Sequence, residues 1–193
     1  MTDHLNNQKL LQKQAYLVVE QLDLRNILNN VGDFQLVGSI EYGLMTSRDI
    51  DANLMMNESP TDSDFWSIVK PIFSKIGVKS ITIADNRSGA EVDRPKSMYL
   101  GIKYEDNEKN IWKIDIRFLA KESVTTDRIA KLIEENITDE TRQIILKIKS
   151  LVCDNPKYHK DFSSVDIYEA VLLSNVKNIA DFNNYLLAIG KSL

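Results

Sequence analysis

Residues 36–54 read LVGSIEYGLMTSRDIDANL, and their pattern decides how the rest of the chain is read. Phe34, Gln35, Leu36 and Val37 have the composition of a short strand, which Gly38-Ser39 ends. Residues 40–45 carry a weaker signal for one helical turn. From Asp49 to Leu54 polar and apolar residues alternate, the pattern of a strand with one buried face. Strand side chains at i and i+2 share a face, so Asp49 and Asp51 stand side by side. Two adjacent carboxylates raise each other's proton affinity unless a cation lies between them. Oxygen-only ligands suit a hard ion such as Mg²⁺, which keeps several waters and takes further ligands from phosphate. Upstream, the missing side chain of Gly38 lets backbone N–H groups approach an anion closely. A phosphate-binding turn and a carboxylate pair separated by nine residues point to a metal–triphosphate complex.

A third acid lies further along. In WKIDIRF, residues 112–118, Trp112, Ile114, Ile116 and Phe118 take one strand face and Lys113, Asp115 and Arg117 the other. A carboxylate there, on a strand beside the first, could bridge a second metal or take a proton from an attacking hydroxyl. The blander reading is that Asp115 is simply ion-paired to Lys113 or Arg117. Asp49 and Asp51, taken alone, could equally be a solvated strand face.

Gly-Ser, nine residues, Asp-x-Asp on a strand, and a single Asp on a later strand together resemble the DNA polymerase beta-like nucleotidyltransferase superfamily. The resemblance covers residues 34–119. It implies an α/β fold, an α+β mixed sheet, with a C-terminal helical subdomain. It also implies that Asp49, Asp51 and Asp115 are catalytic and hold two Mg²⁺ ions, while Gly38 and Ser39 hold the β- and γ-phosphates of ATP or another nucleoside triphosphate. An acceptor hydroxyl would attack the α-phosphorus in line and pyrophosphate would leave. Similar size and layout occur in small antibiotic-modifying members and in minimal members that modify RNA or protein, so the acceptor stays open. An alternative within the same fold is a non-catalytic nucleotide- or partner-binding protein, such as an antitoxin-like regulator.

Outward from this segment, residues 5–28 read as one long amphipathic helix through Leu11, Ala15, Val18 and Leu22. Residues 62–76 read as another, capped by Asp62 or Ser63 and stopped by Gly77. Strands are expected at 79–84, 97–104 and 110–119, with a loop at 85–96. Helices are expected near 127–135, 139–152, 165–173 and 179–189, with Thr138 and Ser163 as caps. The division predicted is residues 1–120 as catalytic body and 121–193 as helical part, which in this superfamily commonly builds the acceptor cleft.

Composition sets the outer limits. The 193 residues carry a formal charge of −4, which disfavours a general nucleic-acid coat and tilts the acceptor towards a small molecule or protein. A single cysteine and two histidines leave no disulfide and no Cys/His zinc cluster. The start lacks the apolar core of a signal peptide and no run of about 18 apolar residues follows, so a cytoplasmic protein with no membrane partner is expected. Arg87, Arg94 and Lys96 could reach a triphosphate from the 85–96 loop, or be solvated charges. Between Arg142 and Lys160 five Lys/Arg face one acid, Asp154; the helix dipole suffices to explain Lys147 and Lys149. Cys153 is read as a buried small hydrophobe, His4 and His159 as surface residues, and Tyr42 and Tyr168 as core.

Overall fold

Alternation in three strands builds the central layer. The computed structural model describes residues 4–88, 96–123 and 128–193. In chain order the elements are α1 (His4–Gln21), α2 (Leu24–Asn29), β1 (Asp33–Val37), α3 (Ser39–Tyr42), β2 (Asp49–Met56), α4 (Asp62–Phe73), β3 (Val78–Asp85), β4 (Ser97–Glu105), β5 (Ile111–Ala120), α5 (Arg128–Asn136), α6 (Asp139–Val152), α7 (Ser164–Ser174) and α8 (Ile179–Ala188). Among the described residues the strands form one sheet in the order β1-β2-β5-β4-β3. β2 and β5 run parallel, and the other neighbours are antiparallel. This is the mixed α/β architecture expected.

Register places every second residue of the inner strands in one apolar layer. Ile50, Ala52 and Leu54 of β2 lie beside Ile114, Ile116 and Phe118 of β5, which lie beside Ile102, Leu100 and Met98 of β4. All nine are buried, and Phe65 of α4 closes on Phe118 with ring centroids 4.9 Å apart. Burial of this kind is the main favourable term for the fold. The β4–β5 hairpin is shaped by Asp106, whose carboxylate accepts from the backbone N–H groups of Glu108 and Asn110 and from the buried Trp112 indole at 2.8 Å. The hairpin turn thus satisfies the one polar atom that Trp112 takes into the core.

Three expectations about helices need correction. The helix expected at 5–28 is two helices, with Asp23 left-handed at φ 58°. Leu22 and Leu24 are both fully buried, and at i, i+2 a continuous helix would put them on nearly opposite sides. The cap of α4 is Thr61 rather than Asp62 or Ser63: its hydroxyl accepts from Asp64 N–H, and Asp64 accepts from Thr61 N–H in return. The same helix ends at Phe73, with Pro71 in its last turn, and Ile76, 97% exposed, contributes nothing to the core. By contrast, Thr138 and Ser163 cap α6 and α7 as expected.

The chain divides into two compact units. The described residues of Leu11–Gly43 and Ser47–Thr125 make the α/β unit, and those of Met1–Leu10, Leu44–Thr46 and Thr126–Leu193 a helical one. In the helical unit Lys149 is only 5% exposed. Its ammonium donates to the Leu44 carbonyl at 2.7 Å and to the Tyr168 hydroxyl at 3.3 Å, so the helix dipole does not account for it. Asp166, also buried, accepts from Ser163 N–H and from Lys191 Nζ at 2.6 Å. Cys153 is exposed, contrary to expectation, because it follows Val152 out of the buried stripe of α6. No helix among the described residues is long and apolar enough to cross a membrane.

Candidate active site

The face of the sheet opposite the apolar layer carries the sequence-predicted residues. Parallel pairing sets Asp49 beside Lys113 and Asp51 beside Asp115. With i, i+2 spacing on each strand, these four side chains form a two-by-two grid: two carboxylates on β2, an ammonium and a carboxylate on β5. Gly38 and Ser39 enter from the neighbouring strand, where Val37 of β1 pairs with Asp51. All five predicted residues are therefore brought together within the α/β unit.

Gly38 is needed at its position for two reasons. Its backbone lies at φ 69°, ψ −141°, a conformation essentially reserved for glycine. A Cβ there would also stand 3.3 Å from Asp51 Oδ2. The turn thus packs its bare backbone against the carboxylate, and Ser39 opens α3 immediately beyond.

The electrostatics follow from crowding. Burial first, then the charges of Asp49 and Asp115, push the Asp51 carboxyl up to about 6, against the lowering effect of Lys113 and Arg117. Lys113 Nζ donates to Asp115 Oδ2 at 2.6 Å and lies 3.7 Å from Asp49 Oδ1. Burial pulls the Lys113 ammonium down, but the Asp115 hydrogen bond and the charges of Asp49 and Asp115 outweigh it and hold the group above its usual range.

Sequence reading missed Tyr99, whose hydroxyl donates to the other Asp115 oxygen, Oδ1, at 2.7 Å. It reaches Asp115 across Gly101, which pairs with Asp115 in the ladder. A Cβ on Gly101 would be 2.5 Å from the Tyr99 hydroxyl, so the missing side chain makes the room. Burial and the bond to Asp115 push the Tyr99 phenol up to about 12. The signal was present in the parity of YLG at 99–101, but only the hairpin register turns it into a contact.

Other candidates are engaged elsewhere or lie apart. Arg87 donates to Asp85, to Asp62 and to the Pro60 carbonyl, tying the end of β3 to the start of α4. Arg94 is outside the described residues, and Lys96 is exposed just before β4. Arg48 stacks over Trp112 at 6.0 Å, turned from the carboxylates as its parity predicts. A cleft of about 470 Å³ opens at the far end of β1 and β2, among Asn29, Asp33, Asn57 and Lys121, and none of the grid residues lines it.

The donor set suits a hard cation at Asp49 and Asp51, where phosphate and water oxygens would complete the shell. Among the described residues no group of three or more His, Cys, Asp or Glu is placed to hold a metal ion, and Asp115, beside Asp51, is paired to Tyr99 and Lys113.

No family model and no curated protein sequence matches the chain. Solved structures do. Cid1 poly(U) polymerase superposes with a TM-score of 0.56 at 17% identity, over 89% of this chain and 49% of that one. Looser matches include the STING-associated CdnE c-di-GMP synthase from Capnocytophaga granulosa, with a TM-score of 0.48 at 15% identity over 93% of this chain and 64% of that one. A cytoplasmic RNA terminal U-transferase matches with a TM-score of 0.46 at 18% identity, over 75% and 47%. The chain thus shares its fold with Cid1 poly(U) polymerase, of which it spans about half the length.

Proposed function

We propose that the protein is a Mg²⁺-dependent nucleotidyltransferase, moving AMP from ATP to an acceptor hydroxyl with release of pyrophosphate. The observation that carries the reading is the juxtaposition of Gly38, in the turn after β1, with Asp51 on β2 and Asp115 on β5. A glycine turn suited to phosphate packs on a carboxylate of raised proton affinity, with a second carboxylate alongside. Such perturbed groups collect at functional sites.

Each residue has a role in this reading. Asp49 and Asp51 hold the divalent cation, which offsets charge on the triphosphate and on the leaving pyrophosphate. The bare backbone at Gly38 and the Ser39 turn face the β- and γ-phosphates. Asp115, gripped from two sides by Tyr99 and Lys113, retains lone pairs that accept a hydrogen bond from the acceptor hydroxyl and turn its oxygen towards phosphorus. Antibiotics, RNA and protein hydroxyls are the acceptor classes to test, small and protein acceptors first given the net charge of −4.

Binding and turnover separate in two measurements. Mg²⁺ with ATP at about 100 times Kd should raise Tm by about 5–10 °C, and Asp51→Ala should abolish that gain. No shift in the wild type with any nucleoside triphosphate removes the reading. Labelled AMP should then appear on an acceptor pool together with pyrophosphate. A thermal shift without transfer, across antibiotics, tRNA and cell lysate, would favour the non-catalytic nucleotide-binding alternative.

A further inference from the structure

We infer that Lys113 is a resident cation that takes the place of a second metal, so that this site binds a single divalent ion, on Asp49 and Asp51. The inference rests on the nucleotidyl-transfer reading and narrows it. A site that used Asp115 to bridge a second ion would have to place it where the Lys113 ammonium lies, against Asp115 oxygens that each already accept a donor. Asp115 Oδ1 is taken by the Tyr99 hydroxyl at 2.7 Å and Oδ2 by Lys113 Nζ at 2.6 Å. The same ammonium lies 3.7 Å from Asp49 Oδ1, so it spans the two strands where a bridging ion would sit. A divalent ion placed there would face a positive charge at contact distance.

The backbone makes this arrangement a property of the fold rather than of one flexible side chain. Lys113 pairs with Asp49 in the parallel ladder, and its N–H donates to the Arg48 carbonyl at 3.0 Å. Its side chain, 55% exposed, therefore starts one strand spacing from Asp49 and two residues from Asp115. Three carboxylates and one ammonium leave the grid with a formal charge that one divalent ion cancels. Tyr99 works in the same direction: crossing Gly101, its hydroxyl holds Asp115 Oδ1 while Lys113 holds Oδ2. An ammonium is a point charge with three donors and no coordination positions to share. At the acceptor side the site would thus offer hydrogen bonding and charge, independent of metal concentration.

Counting ions tests this without turnover. Mn²⁺ bound per chain is measured by electron paramagnetic resonance, with a non-hydrolysable ATP analogue saturating and the analogue alone as control. Wild type and Lys113→Arg should bind one ion, and Lys113→Gln two. Asp115→Asn should keep the single ion, with Kd weakened by no more than about 10–100-fold, as for a group outside the ligand set. Two ions in the wild type, one in Lys113→Gln, or loss of the ion in Asp115→Asn would each overturn the inference while leaving nucleotidyl transfer standing. No bound ion in the wild type would overturn both.

Discussion

The two faces of β2, β4 and β5 are made by alternate residues of the same strands, yet they do opposite things. On one face Ile50, Ile114 and Ile102 stand side by side, fully or almost fully buried, and gain free energy from every neighbour. On the other, Asp49, Asp51 and Asp115 are drawn together by the same registers and raise the cost of ionising Asp51. Stability is thus built on one side of the sheet and spent on the other, with Gly38, Gly101, Lys113 and Tyr99 shaping where the charges sit. A face that repels itself when empty is suited to gain from a cation and a polyphosphate.

The contrast can be broken from the apolar side first. Ile114→Ala should cost about 2–5 kcal/mol, since it leaves a cavity beside Ile50 of β2 and Ile102 of β4. Urea denaturation would show this as a lower midpoint with an unchanged slope. The second test has the opposite sign. The Asp51 carboxyl binds its proton more tightly in the folded protein, near pH 6 against an ordinary value near 3.8. The folded state therefore holds more protons between those values, and stability falls as pH rises through that window. Asp51→Asn removes the fall. In EDTA the variant should match wild type below pH 4 and exceed it at pH 8 by about 1–2 kcal/mol, allowing for partial exposure. Equal Tm values at pH 8 would mean that the carboxylates do not strain the empty site. The smallest stability effect is expected at Tyr99, where Tyr99→Phe removes one hydrogen bond worth about 0.5–1.5 kcal/mol. Tyr99→Phe should also lower transfer activity, because Asp115 Oδ1 loses the donor that positions it, and Gly101→Ala should do the same by displacing the phenol. If Gly101→Ala transfers normally while Tyr99→Phe does not, the close approach across Gly101 is not what positions the phenol.

Much of the site was legible because strand parity is local. DID at 49–51 and KIDIR at 113–117 state which side chains share a face before any partner strand is known. The spacing of Gly38-Ser39 to Asp49 added a turn of the right kind. What parity leaves open is which strands are neighbours and in what register. Lys113 was therefore legible as an ion-pair candidate for Asp115 from its own strand, whereas Tyr99, on the neighbouring strand, was not. The helix ends failed for a related reason. Asp62 and Ser63 are reasonable caps by type, but Thr61 wins because Asp64 completes the reciprocal bonds. Leu22 and Leu24 fit one helical stripe only until both must be buried.

By itself the sequence determined the alternation that makes a mixed sheet with one apolar face, and the residue types on which the proposed nucleotide site rests. Those are consequences of covalent order and side-chain chemistry, readable over a few residues. The tertiary structure alone decided that β2 and β5 pair in parallel with Asp51 opposite Asp115 and Lys113 opposite Asp49. Electrostatic energy depends on distance through space, and ladder register, not chain spacing, sets that distance.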